Sequence, residues 1–315
     1  MLGKATSRFL VVTRAGRKSL HAQWLAPAEA RRFDLLVASY DPASGPIDVP
    51  GTFHCYIPGS KVQGWKAVLD QHGDFLTQYD YVALIDDDIA TDADSLSRLF
   101  ELGRDNGLTL FQPALTWDSH FTYAGTVRNP LLRYRNVNYI EMMAPFFAIR
   151  ALEKVAPLFD YGWESGIDLI WGSALDPEER RFAIIDAVPI KHTRPVGALK
   201  EANGFVGRGY ESDIEASLDH FGMSWPSLVA SSAVTKSGKR VGPLGIAWRA
   251  LVLLAVPFTS PTPRGWRRVF DHIRHQATRR PPYAEGVRQI LAQDVSGLSH
   301  HDRSVTGPEE APGSR

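Results

Sequence analysis

The sequence predicts an α/β fold with a mostly parallel central sheet flanked by helices. Apolar runs of strand length alternate with stretches of helical spacing over residues 8–111, which is typical of parallel strands joined by crossover helices. The run at 81–85 is apolar throughout, as expected of a central strand buried on both faces. With 44% hydrophobic and 22% charged residues among 315, the chain can build a large core.

Five runs within the first 115 residues have strand character. They lie at 9–13, 33–38, 52–57, 81–85 and 108–111. After the third run, Val62, Trp65 and Leu69 follow helical spacing, and Ser60 is a suitable residue to cap that helix. After the fourth run, a second helix face ends at Asn106-Gly107. We therefore expect residues 1–115 to form a sheet of the nucleotide-binding type.

The middle of the chain is less regular. Residues 117–135 are polar and aromatic without a clear period, which indicates a long loop or lid. Residues 137–147 have strand character around Glu141, whose charge indicates either a site residue or an ion pair with Arg135 or Arg150. A helix at 152–159, a strand at 182–190 and a Gly-rich loop at 203–209 are expected to follow.

These patterns divide the chain into three parts. Residues 1–210 form an α/β domain, of which 116–210 is the second half. Residues 211–295 form a helical C-terminal extension. The polar tail at 296–315 is rich in Ser, Gly and Pro, and we expect it to be disordered.

Composition excludes several classes of protein. The 35 Lys and Arg balance the 35 Asp and Glu, so the surface as a whole is not one that binds a polyanion. No nucleic-acid partner is therefore expected. The single cysteine, Cys55, excludes an intramolecular disulfide and a Cys-rich zinc site. The N-terminus lacks the apolar stretch of a secretory signal.

One apolar run near the C-terminus bears on membrane contact. It covers 246–258, is interrupted by Arg249, and falls short of the roughly 20 residues that cross a bilayer. The sequence therefore predicts a cytoplasmic protein without a signal peptide or transmembrane helix. A basic, aromatic stretch follows at 264–280. One interpretation is that the apolar segment is a core helix and the basic segment a solvated helix. The alternative is that both lie on an anionic membrane surface, so peripheral membrane contact through 246–280 stays open.

The most informative motif is Asp86-Asp87-Asp88, directly after the apolar run at 81–85. In open α/β sheets, ligands bind beyond the carboxyl ends of the strands, where this triplet lies. A divalent cation such as Mn²⁺ or Mg²⁺ would offset the repulsion between the crowded carboxylates and keep positions open for phosphate oxygens. Because side chains alternate along an extended segment, Asp86 and Asp88 can point the same way. The alternative is that one Asp caps the following helix and the others are solvated.

Two other polar positions could complete a site. Glu164 and Asp168 lie four residues apart, so on a helix they would face the same way. Asp168 has apolar neighbours and is the more enclosed candidate for a general base, although a capping role or an ion pair is the alternative. His192 follows the strand run at 182–190, where a neutral imidazole could join carboxylate ligands of a metal.

Together these residues resemble the motifs of GT-A-fold glycosyltransferases. The acidic triplet after an apolar strand resembles their Asp-x-Asp motif, and segment 162–168 is similar to the Gly- and Trp-rich acidic motif of inverting members. The chain is similar above all to an uncharacterised glycosyltransferase-like family of plant and bacterial proteins. The resemblance spans roughly 8–194 and is carried by 79–89, 112–115 with Ser119-His120, 140–147, 162–168 and 185–192.

The resemblance implies a GT-A-like fold and metal-dependent transfer, with inversion, of a sugar from a nucleoside-diphosphate sugar to a carbohydrate or other hydroxyl acceptor. Asp86 and Asp88, assisted by His192, would hold Mn²⁺ or Mg²⁺ against the donor diphosphate. Asp168 would be the base, but the spacer before Gly166 is longer than in many relatives, which leaves Glu164 open as the alternative. Contacts to the donor are implied for Arg14, Asp41, Lys61, Asp87 and for Arg194 or Lys200, and the loop at 203–209 could close over it.

Two other classes remain open. Phosphatase-like hydrolases also carry Asp-x-Asp at the end of a central strand, the first Asp being the nucleophile. Here, however, the triplet follows the fourth run, and Ala90 occupies a position where a small hydroxyl residue or valine is usual. The non-enzymatic alternative is a nucleotide- or carbohydrate-binding module, which would have no use for Asp168.

Overall fold

The computed structural model describes residues 2–195, 210–255, 263–280 and 283–302. Its strands are Phe9–Ala15 (β1), Asp34–Ser39 (β2), Thr52–Tyr56 (β3), Tyr81–Asp86 (β4), Ile89–Ala90 (β5), Leu110–Leu115 (β6), Leu132–Val137 (β7), Phe146–Ala148 (β8), Phe182–His192 (β9), Ala230–Thr235 (β10) and Arg240–Val241 (β11). Its α-helices are Lys61–Leu76 (α1), Ala93–Asp105 (α2), Ile149–Val155 (α3), Ile167–Ala174 (α4), Tyr210–His220 (α5), Pro243–Ala250 (α6), Pro263–Thr278 (α7) and Val287–Asp302 (α8).

The strands form one sheet in the order β11-β10-β7-β9-β6-β8-β4-β1-β2-β3, and β5 pairs with β9. The predicted α/β class with helices flanking a large central sheet is confirmed. The four strands β3-β2-β1-β4 are parallel, and so are β6 and β9. The other neighbours are antiparallel, because beyond residue 115 the chain no longer alternates one strand with one crossover helix.

The core lies on both faces of the parallel half. Side chains alternate along β1, so that Leu10 and Val12 face the core under α1, while Phe9 and Val11 face the core under α2. Trp65 of α1 belongs to the first of these cores and Phe100 of α2 to the second. Strand β4 is buried on both faces, as its apolar run predicts. It lies inside the sheet between β8 and β1, so its carboxyl end has neighbouring strands on both sides.

The prediction of a strand over 137–147 is wrong. Strand β7 ends at Val137, and β8 begins only at Phe146. The residues between them are buried without forming a strand, and the backbone N–H of Glu141 donates to Oε1 of Gln112, 2.7 Å away. Burial rather than strand pairing therefore explains why this stretch is apolar. The loop expected at 117–135 contains a short 3₁₀ turn and ends in β7.

The C-terminal part is helical as expected, with the β10–β11 hairpin added to it. Helix α8 extends to Asp302, into the segment predicted to be a disordered tail. Within the described ranges, no helix combines the length and the apolar character that crossing a bilayer requires. Lys200, the predicted loop at 203–209 and the rest of the tail from 303 lie outside the described residues.

Candidate active site

A cavity of about 590 Å³ opens at the carboxyl-terminal edge of the sheet. Strands β1, β4 and β9 run in the same direction through the sheet, and Arg14, Asp86 and His192 lie at the last or next-to-last position of these strands. All three of these side chains line the cavity. Of the positions singled out from the sequence, it is lined by Arg14, Lys61, Asp86, Asp87, Asp88, Glu141, Glu164, Asp168, His192 and Arg194. The structure thus brings together residues that are up to 180 positions apart in the chain.

Asp87, which lines this cavity, makes side-chain contacts with three other segments of the chain. Its Oδ2 accepts from the backbone N–H of Gly16 at 3.0 Å and from the Tyr40 hydroxyl at 3.3 Å, while its Oδ1 lies 3.1 Å from Nη1 of Arg194. Burial raises the pKa of Asp87, although Gly16 and Arg194 counteract this. Gly16 is required here because a Cβ at this position would lie 2.3 Å from the Tyr40 hydroxyl oxygen.

Asp86 is paired with a cation of its own chain. The ammonium of Lys61, the first residue of α1, lies 2.7 Å from Oδ1 and 2.8 Å from Oδ2 of Asp86. The same ammonium lies 4.7 Å from the centre of the Trp65 ring. Burial raises the pKa of Asp86 to about 6, against the opposing effect of Lys61. Lys61, predicted to meet phosphate, therefore lies at the cavity but already has a carboxylate partner.

Asp88 and His192 are brought together by the short pairing of β5 with β9. Nε2 of His192 lies 3.2 Å from Oδ2 of Asp88. Nδ1 of His192 lies 2.9 Å from the carbonyl oxygen of His120, so it carries a proton and donates it there. Burial favours neutral forms of both groups, but their contact raises the pKa of His192 and lowers that of Asp88.

The metal ligands expected from the sequence are only partly assembled. Among the described residues, no group of three or more His, Cys, Asp or Glu side chains is arranged to hold a metal ion. The donor types of Asp88 and His192 nevertheless fit Mn²⁺ or Mg²⁺, and Oδ1 of Asp88 is buried without a hydrogen-bond partner. His192 also donates its other ring N–H to a carbonyl, as metal-ligating histidines do. Asp86 would have to leave Lys61 to join them.

Glu164 caps a helix instead of facing a reacting group. Its Oε2 accepts from the backbone N–H of Val62 at 2.9 Å, and its Oε1 accepts from the N–H of Gln63 at 3.3 Å and from the Ser60 hydroxyl. Ser60 is at the N-cap position, as predicted, but its own side chain caps no N–H group. The carboxylate of Glu164 satisfies the first turn of α1 because it is both a stronger acceptor and an anion at a helix N-terminus.

Asp168 lies in the first turn of α4 and is the carboxylate best placed for proton transfer. Its Oδ2 accepts from the backbone N–H of Met142 at 3.2 Å. Burial raises its pKa to about 6, and the backbone bonds and the charge of Lys61 limit the rise. Among the described contacts no cation lies within ion-pair distance of it, in contrast to Asp86, Asp87 and Asp88.

Glu141 is the second carboxylate on this side of the cavity. It is buried, and its Oε2 has no hydrogen-bond partner among the described residues. Burial and the nearby charge of Asp168 raise its pKa to about 7. The ion pair with Arg135 or Arg150 left open by the sequence is not formed with Arg135, which binds Asp186 with Nε at 2.9 Å. The site interpretation of Glu141 is therefore the one that the geometry favours.

Aromatic side chains line the cavity next to these two carboxylates. Tyr123 comes from the loop after β6, and Trp225, which is 48% exposed, comes from the C-terminal extension. Neither residue was singled out by the sequence, since no local pattern connects residue 225 with the sheet. Trp163 is not among the residues that line the cavity and stacks on Tyr161 with ring centres 4.4 Å apart.

Two donor-side predictions have other outcomes. Asp41 is not among the residues that line this cavity and lies 3.4 Å from Nε of Arg17. Arg14 lines the cavity, but its guanidinium is buried and donates to the carbonyls of Ile57 at 2.6 Å and Gly59 at 2.9 Å. It fixes the loop that leads into α1, and with it the position of Lys61.

The comparisons with known proteins give only distant similarities. No family model matches the chain, and no curated protein matches it. A crystal structure of S. aureus TarS superposes with a TM-score of 0.43 and 9% identity over 68% of this chain and 43% of that chain. A second one, S. aureus TarS 1-349 in complex with UDP-GlcNAc, gives 0.41 and 9% over 89% and 74%. This chain thus spans less than half of the first TarS structure, and similarities at this level assign it to no family.

Proposed function

We propose that the protein transfers a sugar from a nucleoside-diphosphate sugar to a hydroxyl of an acceptor, with inversion at the anomeric carbon. The observation that carries this proposal is that one cavity joins two chemically different sides. We call the side formed by Lys61, Asp86, Asp88, His192 and Arg194 the donor wall. The side formed by Tyr123, Glu141, Asp168 and Trp225 is the acceptor wall.

The donor wall suits a diphosphate. Lys61 and Arg194 carry positive charge into the cavity at the carboxyl ends of the strands, where open α/β sheets bind ligands. Asp88 and His192, with Asp86 once Lys61 binds phosphate instead, would hold a divalent cation. Such a cation, when bound, neutralises charge that grows on the leaving diphosphate. Lys61 and Arg194 add to that stabilisation from fixed positions.

The acceptor wall suits proton transfer from a hydroxyl. Asp168 has a pKa raised to about 6, so near neutral pH it is ionised and more basic than an ordinary Asp. It accepts the proton while the acceptor oxygen bonds to the anomeric carbon and the bond from that carbon to the diphosphate breaks. Glu141, with its unpartnered oxygen, can hold a hydrogen bond to an acceptor hydroxyl. Trp225 and Tyr123 offer ring faces on which a sugar can stack.

The capping role of Glu164 supports Asp168 as the base. Both oxygens of Glu164 are engaged by the start of α1, so moving a proton there would break helix contacts. Asp168 also accepts from backbone N–H groups, but its pKa is nevertheless raised to about 6 and it lines the cavity. These contacts favour Asp168 over Glu164 as the base.

A phosphatase-like hydrolase is the second candidate, because Asp86 is the first Asp of an Asp-x-Asp at a strand end. In such an enzyme Asp86 would be the nucleophile and would need a free oxygen aimed at phosphorus. Both oxygens of Asp86 lie within 3 Å of the Lys61 ammonium, which makes the carboxylate a weaker nucleophile. The acceptor wall would also have no role.

The test is a donor screen with the purified full chain. Release of nucleoside diphosphate from a panel of nucleoside-diphosphate sugars is measured with Mn²⁺, with Mg²⁺ and with chelator, and binding is followed by calorimetry. The proposal expects one nucleoside diphosphate to bind in a metal-dependent way and its sugar to be transferred. Phosphate release from simple esters would instead indicate the hydrolase, and binding without turnover would indicate a binding module.

A further inference from the structure

Residues 236–280 concentrate the positive charge of the protein. This stretch contains ten Lys and Arg and one acidic residue, Asp271, whereas the rest of the chain contains 25 Lys and Arg against 34 Asp and Glu. A chain that is neutral overall is therefore strongly polarised. Such asymmetry indicates a local electrostatic partner rather than general solubility.

Helix α6, within this stretch, is apolar on its outer side as well as its inner side. Its buried inner side consists of Ile246, Ala247 and Ala250. On the outer side Leu244 is 73% exposed and Trp248 is 74% exposed, and Leu251 in the next turn is exposed as well. Their spacing of four and three residues places them in one stripe. Within the described structure nothing covers this stripe, although a surface helix normally turns polar residues outward.

Helix α7 has an outer side that is basic and aromatic. Its inner side is buried through Val269, His272 and Gln276. On the outer side Arg267, Phe270 and Arg274 are exposed, at a spacing of three and four residues. Asp271 lies 3.2 Å from Nη2 of Arg274 and 3.9 Å from Nε of Arg267, so it offsets only part of their charge.

The hairpin before α6 adds more cations. Strands β10 and β11 are joined by an exposed turn that carries Lys236 and Lys239, and Arg240 follows it. Helix α6 begins only three residues after Arg240. Positive charge therefore flanks the apolar stripe of α6 in the chain on both sides, from the hairpin and from α7.

We propose that the outer sides of α6 and α7, together with the turn at 236–240, form a docking surface for an anionic lipid bilayer. We call this surface the basic face. Lys and Arg near a membrane are attracted by anionic headgroups, and exposed Trp, Leu and Phe bury themselves at the boundary between headgroups and acyl chains. The inference does not depend on the proposed function.

The combination of side chains favours lipid over nucleic acid. The phosphates of a nucleic acid would bind the cations, but they would make no favourable contact with Leu244 and Leu251. A bilayer uses both parts of the surface. Docking would also bring the cavity close to the membrane, because Arg268, adjacent to Arg267 on α7, lines the cavity and donates to the carbonyl of Phe121 at 3.0 Å.

The test is co-sedimentation of the full chain with vesicles of phosphatidylcholine alone and of phosphatidylcholine with phosphatidylglycerol. We expect binding only to the anionic vesicles, and weaker binding as salt is raised. The double variant Arg267→Ala/Arg274→Ala should lower vesicle affinity on the order of 30-fold, since each basic residue contributes about 1 kcal/mol near an anionic surface. Trp248→Ser should lower it roughly tenfold.

Matched controls lie outside residues 236–280. Arg8→Ala/Arg98→Ala removes two exposed arginines, and Tyr56→Ser removes an aromatic ring that is 53% exposed, and neither should change vesicle binding. Equal binding to neutral vesicles, no binding to either, or binding that the Arg267/Arg274 and Trp248 variants leave intact would each overturn the proposal. So would displacement of the protein from anionic vesicles by a single-stranded RNA oligonucleotide, which would indicate a nucleic-acid surface.

Discussion

The carboxylates on the two sides of the cavity have different partners. On the donor side each Asp of the triplet has a cationic partner: Lys61 for Asp86, Arg194 for Asp87 and His192 for Asp88. On the acceptor wall Asp168 accepts from backbone N–H groups, among them that of Met142, and one oxygen of Glu141 has no partner among the described residues. Burial acts on both sides, but among the described contacts only the carboxylates of the triplet have a cation within ion-pair distance.

This difference separates binding from proton transfer. The cations hold the carboxylates of the triplet in place, which suits a surface that positions a charged donor. His192 also lowers the pKa of Asp88, whereas burial still raises the pKa of Asp86 to about 6 in spite of Lys61. Unpaired buried carboxylates have pKa values raised toward neutrality, to about 6 for Asp168 and about 7 for Glu141, which suits groups that exchange a proton near physiological pH. Substitutions on the two walls should therefore produce different kinetic defects.

The largest effect is expected at the acceptor wall. Asp168→Asn removes the base while keeping the size of the side chain, so sugar transfer should fall on the order of 10²–10⁴-fold, with donor affinity unchanged. Transfer is measured by nucleoside diphosphate release with acceptor, and donor affinity by calorimetry. Asp94→Asn, at an exposed position of α2, is the control that should behave as wild type. Normal turnover by the Asp168 variant would exclude it as the base.

The next effect is expected at the donor wall, in binding and turnover together. Asp88→Asn leaves His192 without its carboxylate partner and removes a proposed metal ligand, so transfer should fall roughly 10²-fold or more with the fold preserved. Asp86→Asn should behave similarly. Higher Mn²⁺ should restore part of the activity, and chelator should abolish that of the wild type.

The matched control for Asp88 is Asp118→Asn. Asp118 is exposed and binds Lys191, the residue before His192, so it tests for a general disturbance of the end of β9. If the Asp86 or Asp88 variants keep full activity, the metal assignment is wrong. If they lose turnover but respond to no metal, the donor wall acts through Lys61 and Arg194 alone.

The pH dependence of transfer tests the acceptor wall without changing its shape. Asp168 must be ionised to accept a proton, and Asp86 on the donor wall has a pKa raised to the same value, so activity should be lost as pH falls through about 6. Glu141 can donate a hydrogen bond only while protonated, so activity should decline as pH rises above about 7. Glu141→Gln remains neutral and should remove the alkaline decline while keeping the acid limb. An unchanged alkaline limb in this variant would assign that limb to another group.

The sequence allowed the donor side to be predicted better than the acceptor side, for a physical reason. A strand that is apolar on both faces and stops at three acidic residues is a local pattern, so the place of Asp86 to Asp88 at the sheet edge could be predicted. The resemblance placed His192 beside Asp86 and Asp88, but the ion pair of Lys61 with Asp86 was not predicted, because Lys61 reaches the triplet only through the packing of α1 in the fold. The sequence also could not show that the residues around Glu141 form no strand, since buried loops and buried strands are equally apolar.

Distance along the chain also explains what was missed in the C-terminal third. Trp225 reaches the cavity from a part of the chain without any motif, and Arg268 reaches it from the basic helix α7. The sequence did show the charge of that helix, but not which of its residues face outward. Side-chain direction follows from packing, and here it distinguishes Arg268 at the cavity from Arg267 on the basic face.

The smallest predicted effect concerns the link between the walls. Glu164 comes from the segment that leads into α4 and caps α1, whose first residue is Lys61. Glu164→Ala should lower the free energy of unfolding by about 1–2 kcal/mol, as the loss of a helix cap does, and reduce transfer only a few-fold. Urea unfolding and transfer rates measure the two effects, with the exposed Glu178→Ala as control. A variant of normal stability that has lost transfer would mean that Glu164, and not Asp168, is the base, because a cap acts through stability whereas a base acts through the rate alone.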